Sequence, residues 1–133
     1  MRNAYARYSA REAPTEEVVR AGLTDDFVFE SRRRGVSFPD ADAALASKMI
    51  VSNWQTGAGQ PRFETETLAV RGERFVAVAV RVDYGNGMLR ENVTVIGIDA
   101  TLSRMQRQVS FDVDDVDSAV RELDRMHGEA DPD

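Results

Sequence analysis

The sequence predicts an α+β domain in which helices pack against an antiparallel sheet. The first observation is the stretch from Phe75 to Ile98, FVAVAVRVDYGNGMLRENVTVIGI, two runs rich in valine and isoleucine that flank Tyr84-Gly85-Asn86-Gly87. Glycine and asparagine tolerate the positive φ of a tight reversal, so the stretch reads as a β-hairpin. The second is that neither face of this hairpin is cleanly polar. Val76, Val78, Val80, Val82 and Tyr84 share one face, and Phe75, Ala77 and Ala79 the other; in the second arm Met88, Ile96 and Ile98 oppose Leu89, Val93 and Val95. A sheet that is apolar on both sides must be covered twice, by helices on one side and by more protein on the other. The third is the element order: helical segments early, then a run of extended segments and one closing helix, with no internal repeat.

Taken in order, Asn3 to Glu12 is weakly helical, with Tyr5 and Tyr8 three apart on one side. Pro14 breaks the chain, and Thr15 caps a second helix through Leu23, with Glu16 and Glu17 in its first turn. Gly22 and Thr24-Asp25-Asp26 end it. Phe27 to Arg33 reads as the first strand, with Phe27, Phe29, Ser31 and Arg33 on one face and Val28, Glu30, Arg32 and Arg34 on the other. After Gly35 and Pro39, Asp40 is the expected cap of a helix from Ala41 to about Trp54, and the glycines and proline of residues 57–61 make a loop. Phe63 to Val70 is a third extended piece. Beyond the hairpin a turn at Asp99-Ala100-Thr101 leads into a last strand, Leu102 to Phe111. Asp112 is the expected cap of the closing helix, whose stripe is Val113, Val116, Val120 and Leu123. A single domain over residues 1–128 and a disordered tail over 129–133 are expected.

Composition removes several classes of function. The chain of 133 residues has no cysteine, one histidine (His127) and a net charge of −6 at pH 7. Thiolate chemistry, histidine triads and multi-histidine metal sites are therefore out of reach, and no cofactor or metal is expected. A negative protein is a poor match for phosphate backbones, so nucleic acid is not an expected partner. No run approaches the roughly 20 apolar residues of a membrane span, and the N-terminus lacks the apolar core of a leader, so no membrane association and a cytoplasmic setting are expected. The cations are almost all arginine, Lys48 being the lone lysine. A GC-rich genome accounts for that skew as readily as function does.

Two stretches, TDDFVFESRRRG (24–35) and FDVDDVDSAVRELD (111–124), together with the element order, resemble the nuclear transport factor 2-like superfamily, which includes the SnoaL-like cyclases and the ketosteroid isomerases. The first is similar to that family's first strand and the second to a C-terminal segment of bacterial SnoaL-like domains. The resemblance covers nearly the whole chain, and neither stretch is a catalytic signature. It implies a cystatin-like cone, a curved antiparallel sheet wrapped around helices with an apolar pocket at the open end. It also places Ser31 where the isomerases carry their catalytic aspartate. Serine is no base at neutral pH, and without a histidine partner it is no nucleophile, so the isomerase mechanism is disfavoured.

Candidate ligand-binding residues are Phe27, Phe29, Ser31, Arg33, Trp54, Tyr84 and Asn92. Arg33 has two readings: its donor fork orients a carboxylate, enolate or phenolate, or it closes an ion pair at the strand end. Asp83 and Glu91 are the catalytic candidates if an acid–base carboxylate is required, and Glu91 qualifies only if its face of the sheet is the concave one. Arg90, Asn92 and Thr94 line one face of the second hairpin arm, as pocket groups or as rim residues. The acidic cluster Asp112, Asp114, Asp115 and Asp117 lacks the glycine and terminal glutamate of a calcium loop, and helix capping accounts for it. Tyr5, Tyr8 and Trp54 are pocket walls or plain core, and His127 a solvated helix-end residue.

The function expected from these residues and the resemblance is a small-molecule pocket protein, a cyclase, isomerase or hydratase acting on a flat apolar metabolite. The alternative is a non-catalytic ligand-sensing or dimerisation module. The second apolar face of the hairpin predicts a homodimer that buries on the order of 1,000 Å² or more.

Overall fold

The computed structural model describes residues 15–34, 40–56, 62–83, 87 and 89–130, and of residues 53–56 the backbone alone. The elements are α1 (Glu16–Ala21), β1 (Leu23–Ser31), β2 (Ala41–Asp42), α2 (Ala43–Thr56), β3 (Arg62–Arg71), β4 (Phe75–Asp83), β5 (Leu89–Ile98), β6 (Met105–Phe111) and α3 (Val116–Ala130). The expected first helix with Tyr5 and Tyr8, the Tyr84 turn and the Trp54 side chain lie outside the described residues.

The six strands form one curved sheet in the order β2-β1-β6-β5-β4-β3. Its centre is the expected hairpin, in register from Phe75 opposite Gly97 to Asp83 opposite Leu89. The sheet is not wholly antiparallel, because β1 runs parallel to β6, with Ser31 opposite Ser110.

The two apolar faces are covered as the sequence requires. On the inner face Val76, Val78, Val80, Val82, Ile96 and Ile98 pack with Phe27, Val19 of α1 and Ala43 and Ala46 of α2. Small residues bring α2 close to the sheet, while Leu45 is exposed. On the outer face Phe75, Ala77, Val93, Val95, Val109 and Phe111 pack against Ala119, Leu123 and Met126 of α3. The cover that the sequence reading assigned to a second copy is thus supplied within the chain.

Element boundaries differ from expectation where a polar side chain takes another role. Thr15 caps α1 as expected, its hydroxyl accepting from Val18 N at 3.2 Å. The following Thr24-Asp25-Asp26 belongs to β1 and does not end a helix. It occupies an irregularity in the β1–β6 register, where Thr24 donates to Asp26 at 2.7 Å and Gln106 to Asp26 at 3.1 Å. Asp42, not Asp40, caps α2 by accepting from Leu45 N at 2.9 Å, because Ala41 and Asp42 have already paired with β1. The last strand starts at Met105, since Asp99 holds a turn by accepting from Ser103 N and Arg104 N, with Leu102 at φ +60°.

Asp112 does not cap α3. It accepts from Arg34 N and Nε at 2.9 and 2.8 Å, and the helix begins four residues later. Its buried stripe is Ala119, Glu122, Leu123 and Met126, with Val113 exposed. The helix continues through Gly128 to Ala130, past the expected start of the tail. Within the stripe, the Glu122 side chain is 1% exposed and is held by Arg32 at 2.6 Å and by Arg125.

Two predictions follow from this packing. A Cβ on Gly97 would lie 3.0 Å from Met126 Cε and 3.1 Å from the Phe75 ring. Gly97→Ala should therefore cost about 1–3 kcal/mol in urea denaturation, as overpacking does, and less in a Met126→Ala background. The second concerns acid. Arg32 hydrogen-bonded to Glu30, Thr24 to Asp26, and the Arg34 backbone N–H to Asp112 each hold a carboxyl below its usual range. A lowered folded-state pKa gives stability that is present above the ordinary carboxylate pKa and is lost as pH falls through the depressed value. The melting temperature should be level from about pH 7 to 5 and fall below about pH 4. Asp112→Asn should flatten that fall.

Candidate functional site

The pleat of the sheet decides which polar groups can share a site. Phe29 and Ser31 of β1 stand on the inner face with Phe27, which is 2% exposed and belongs to the core there. Ser31 is opposite Ser110, and Ser110 is opposite Thr94 on β5. Next along β5 is Asn92, opposite Val80, and then Arg90, opposite Val82. A polar row, Ser31-Ser110-Thr94, thus crosses three strands beside the valines of β4, and Asn92 and Arg90 continue the polar positions along β5. Thr94 and Ser110 are buried, and the Thr94 hydroxyl donates to Asn92 Oδ1 at 3.3 Å.

The three consecutive arginines after Ser31 go to three places. Arg32 turns to the outer face, where it binds Glu30 and Glu122 and lies over the Phe111 ring at 5.6 Å. Arg34 binds Asp112 and, at 2.6 Å, Asp114. These carboxylates raise the pKa of both arginines, so both stay cationic. Arg33 lies between them, half-buried, with its backbone N–H donating to Ser31 Oγ at 3.5 Å. It makes no ion pair with any described carboxylate, and its Nε is buried without a hydrogen-bond partner. Asp112 is near enough for Arg33 to help depress its pKa, yet the Asp112 carboxylate is bound to Arg34.

The structure brings Phe29, Ser31 and Asn92 to the inner face, with Thr94, and Arg33 follows Ser31 past the end of β1. Asp83 and Glu91 are elsewhere. Both are exposed and, by strand alternation, share the outer face with Phe75, Ala77 and Val93 rather than the inner face with Asn92. Tyr84 and the Trp54 side chain lie outside the described residues. Sequence reasoning missed Ser110. Gln106, Gln108 and Ser110 share one face of the last strand opposite Met105, Arg107, Val109 and Phe111, and nothing in that alternation shows that Ser110 is 3% exposed. The signal available was the neighbouring strand, where Thr94 and Asn92 interrupt an apolar face in the same way.

Among the described residues no three of histidine, cysteine, aspartate and glutamate stand close enough to hold a metal ion, and no helix is long and apolar enough to cross a membrane. The inner face thus combines the apolar surface of Phe29 and the β4 valines with hydroxyl and amide groups on β1, β5 and β6, and with Arg90 at the start of β5.

No family model matches the sequence, and no curated protein matches it. Solved structures do. A protein of unknown function with a cystatin-like fold from Methylobium petroleophilum is 13% identical with a TM-score of 0.65, over 83% of this chain and 70% of that one. A candidate isomerase of the SnoaL-like family from Agrobacterium tumefaciens is 14% identical with a TM-score of 0.60, over 83% and 92%. A de novo designed protein with a curved β-sheet is 15% identical with a TM-score of 0.58, over 94% of each chain. At these identities the likeness is one of shape: the chain has the cystatin-like α+β fold of the nuclear transport factor 2-like and SnoaL-like proteins.

Proposed function

We propose that this chain binds a flat, largely apolar, weakly acidic small molecule on the inner face of its sheet. The observation that carries the reading is Arg33. Its two neighbours in sequence are neutralised by carboxylates, while Arg33 keeps a buried Nε with no partner beside Ser31. A buried guanidinium N–H left without an acceptor is unfavourable unless another group completes it. A phenolate, enolate or carboxylate oxygen is the group that a guanidinium fork fits.

A catalytic role, of the isomerase type suggested by the name of the Agrobacterium protein, is the second reading. It needs a carboxylate within reach of the ligand. Among the described residues the inner-face positions around Ser31, namely Phe27, Phe29, Ser110, Thr94, Asn92 and Arg90, include no acid, and Asp112, just past β6, is occupied by Arg34. Binding without turnover is therefore the reading that the residues favour.

The test uses 2-naphthol, a flat apolar compound with a weakly acidic hydroxyl, followed by calorimetry. Arg33→Ala should weaken binding about 10- to 100-fold, the scale of one charge-assisted hydrogen bond. Ser31→Asp should weaken it too, because a new carboxylate would neutralise Arg33. Equal binding by both variants and the parent would sink the proposal. On any substrate that is turned over, a loss of about a hundredfold in Asp83→Asn or Glu91→Gln with binding intact would instead establish the catalytic reading.

A further inference from the structure

The outer face carries a concavity, separated from the polar row of the inner face by the sheet. It is a cleft of about 360 Å³ between α3 and the ends of β1 and β6, and three arginines line it, Arg32, Arg121 and Arg125. That volume falls at the lower end of small-molecule sites.

The guanidinium groups differ in what occupies them. The two oxygens of buried Glu122 accept from Arg125 Nε at 2.6 Å and Nη2 at 2.9 Å, and Arg32 Nη2 lies 2.6 Å from Oε1. Arg125 Nη1 goes to Glu129 at 2.5 Å, and Arg32 Nε goes to Glu30. Both oxygens of Glu122 are thus engaged, and its effect is to hold two forks in fixed orientation. Five N–H donors per guanidinium leave Arg32 with an unspent Nη1. Arg121 is the least occupied. It donates one bond, from Nη2 to Ser118 Oγ at 3.0 Å, and has no ion pair with a described carboxylate. The Arg32 guanidinium carbon lies 5.6 Å from the centre of the Phe111 ring, within cation–π range, and guanidinium groups also stack on planar ligands. Asp115 also lines the cleft and disfavours a dianion.

From this arrangement we infer that the outer cleft is a binding site for a small planar organic monocarboxylate. Its carboxylate would be taken by the Arg121 fork with the Ser118 hydroxyl, and its planar body would lie against Arg32. Such pairing is bidentate and charge-assisted, which gives it direction as well as strength. The site is independent of the inner one and stands or falls separately from it.

The test is a titration of the full chain with benzoate, followed by amide chemical shifts at constant ionic strength, with inorganic phosphate as the comparison. Saturating shifts confined to Phe111, Ser118, Arg121 and their neighbours are expected, with phosphate weaker than benzoate. Arg121→Gln should reduce the affinity by about tenfold or more, as loss of a charge-assisted fork does. Arg62→Gln, which removes an equal charge on exposed β3, should leave it unchanged. No saturation by about 20 mM benzoate, a range weaker than the affinity of useful small-ligand sites, would overturn the inference. So would shifts centred on Ser31, Asn92 and Thr94, phosphate binding as tightly as benzoate, or an Arg121→Gln variant that binds like the parent.

Discussion

The β4–β5 pair buries side chains in both directions, and most of the architecture answers to that requirement. Val76 to Val82 need an apolar partner on one side, and Phe75, Ala77, Val93 and Val95 need one on the other. Burying a valine or larger apolar side chain gains about 1.5–3 kcal/mol, so leaving either face in water would forfeit many kcal/mol. The inner cover is α2 with α1, and the outer cover is α3. Each helix therefore has its phase dictated by the sheet. This explains why α2 presents alanine and serine to the strands and why α3 tolerates a glutamate within its buried stripe. The only buried acid that such a stripe can hold is one clamped on both oxygens, and Arg32 and Arg125 supply the clamp.

The clamp also bears on the inner site. Strand alternation sends Arg32 outward, and the chain leaving β1 lets Arg34 reach back across to Asp112 and Asp114. Arg33 is thereby fixed from both flanks by interactions it does not make itself. Three identical residues end in three environments because each meets a different set of acids, and the one that forms no ion pair with a described carboxylate is the one beside Ser31. Run length in the sequence carries no hint of this division. Only the positions of Glu30, Glu122 and Asp112, far apart along the chain, separate the three.

Much of the fold was legible because it rests on local alternation. The hairpin faces, the Thr15 cap and the inner grouping of Phe27, Phe29 and Ser31 all follow from period-2 spacing or from a first-turn hydroxyl. What was not legible depends on partners distant in sequence. Thr24-Asp25-Asp26 looks like a helix stop, and it becomes strand because Gln106 and an irregular register accommodate it. Asp112 has the sequence context of a cap, and it loses that role to Arg34, which stands 78 residues earlier. The parallel β1–β6 pairing and the two-residue β2 are matters of topology with no local signature. Ser110 escaped because a polar residue alternating with apolar ones reads as surface, and here the polar side faces in.

Shape and chemistry separate cleanly in this molecule. A designed protein with a curved sheet matches it about as well as a candidate isomerase does, at similar identity, so the cone by itself selects no substrate and no reaction. Apolar alternation and helix phase suffice to build it. What distinguishes one such cone from another is the handful of positions where the pattern is broken: Ser31, Asn92, Thr94 and Ser110 on a face that packing alone would make wholly apolar, and Arg33 at its end. Packing alone does not call for them. Polar groups in such a place weaken a core unless they are satisfied, and they are retained where a ligand or a reaction needs them. The departures from the chain's own folding pattern, rather than the cone that it shares with designed proteins, are therefore where a difference in chemistry from other such cones would have to arise.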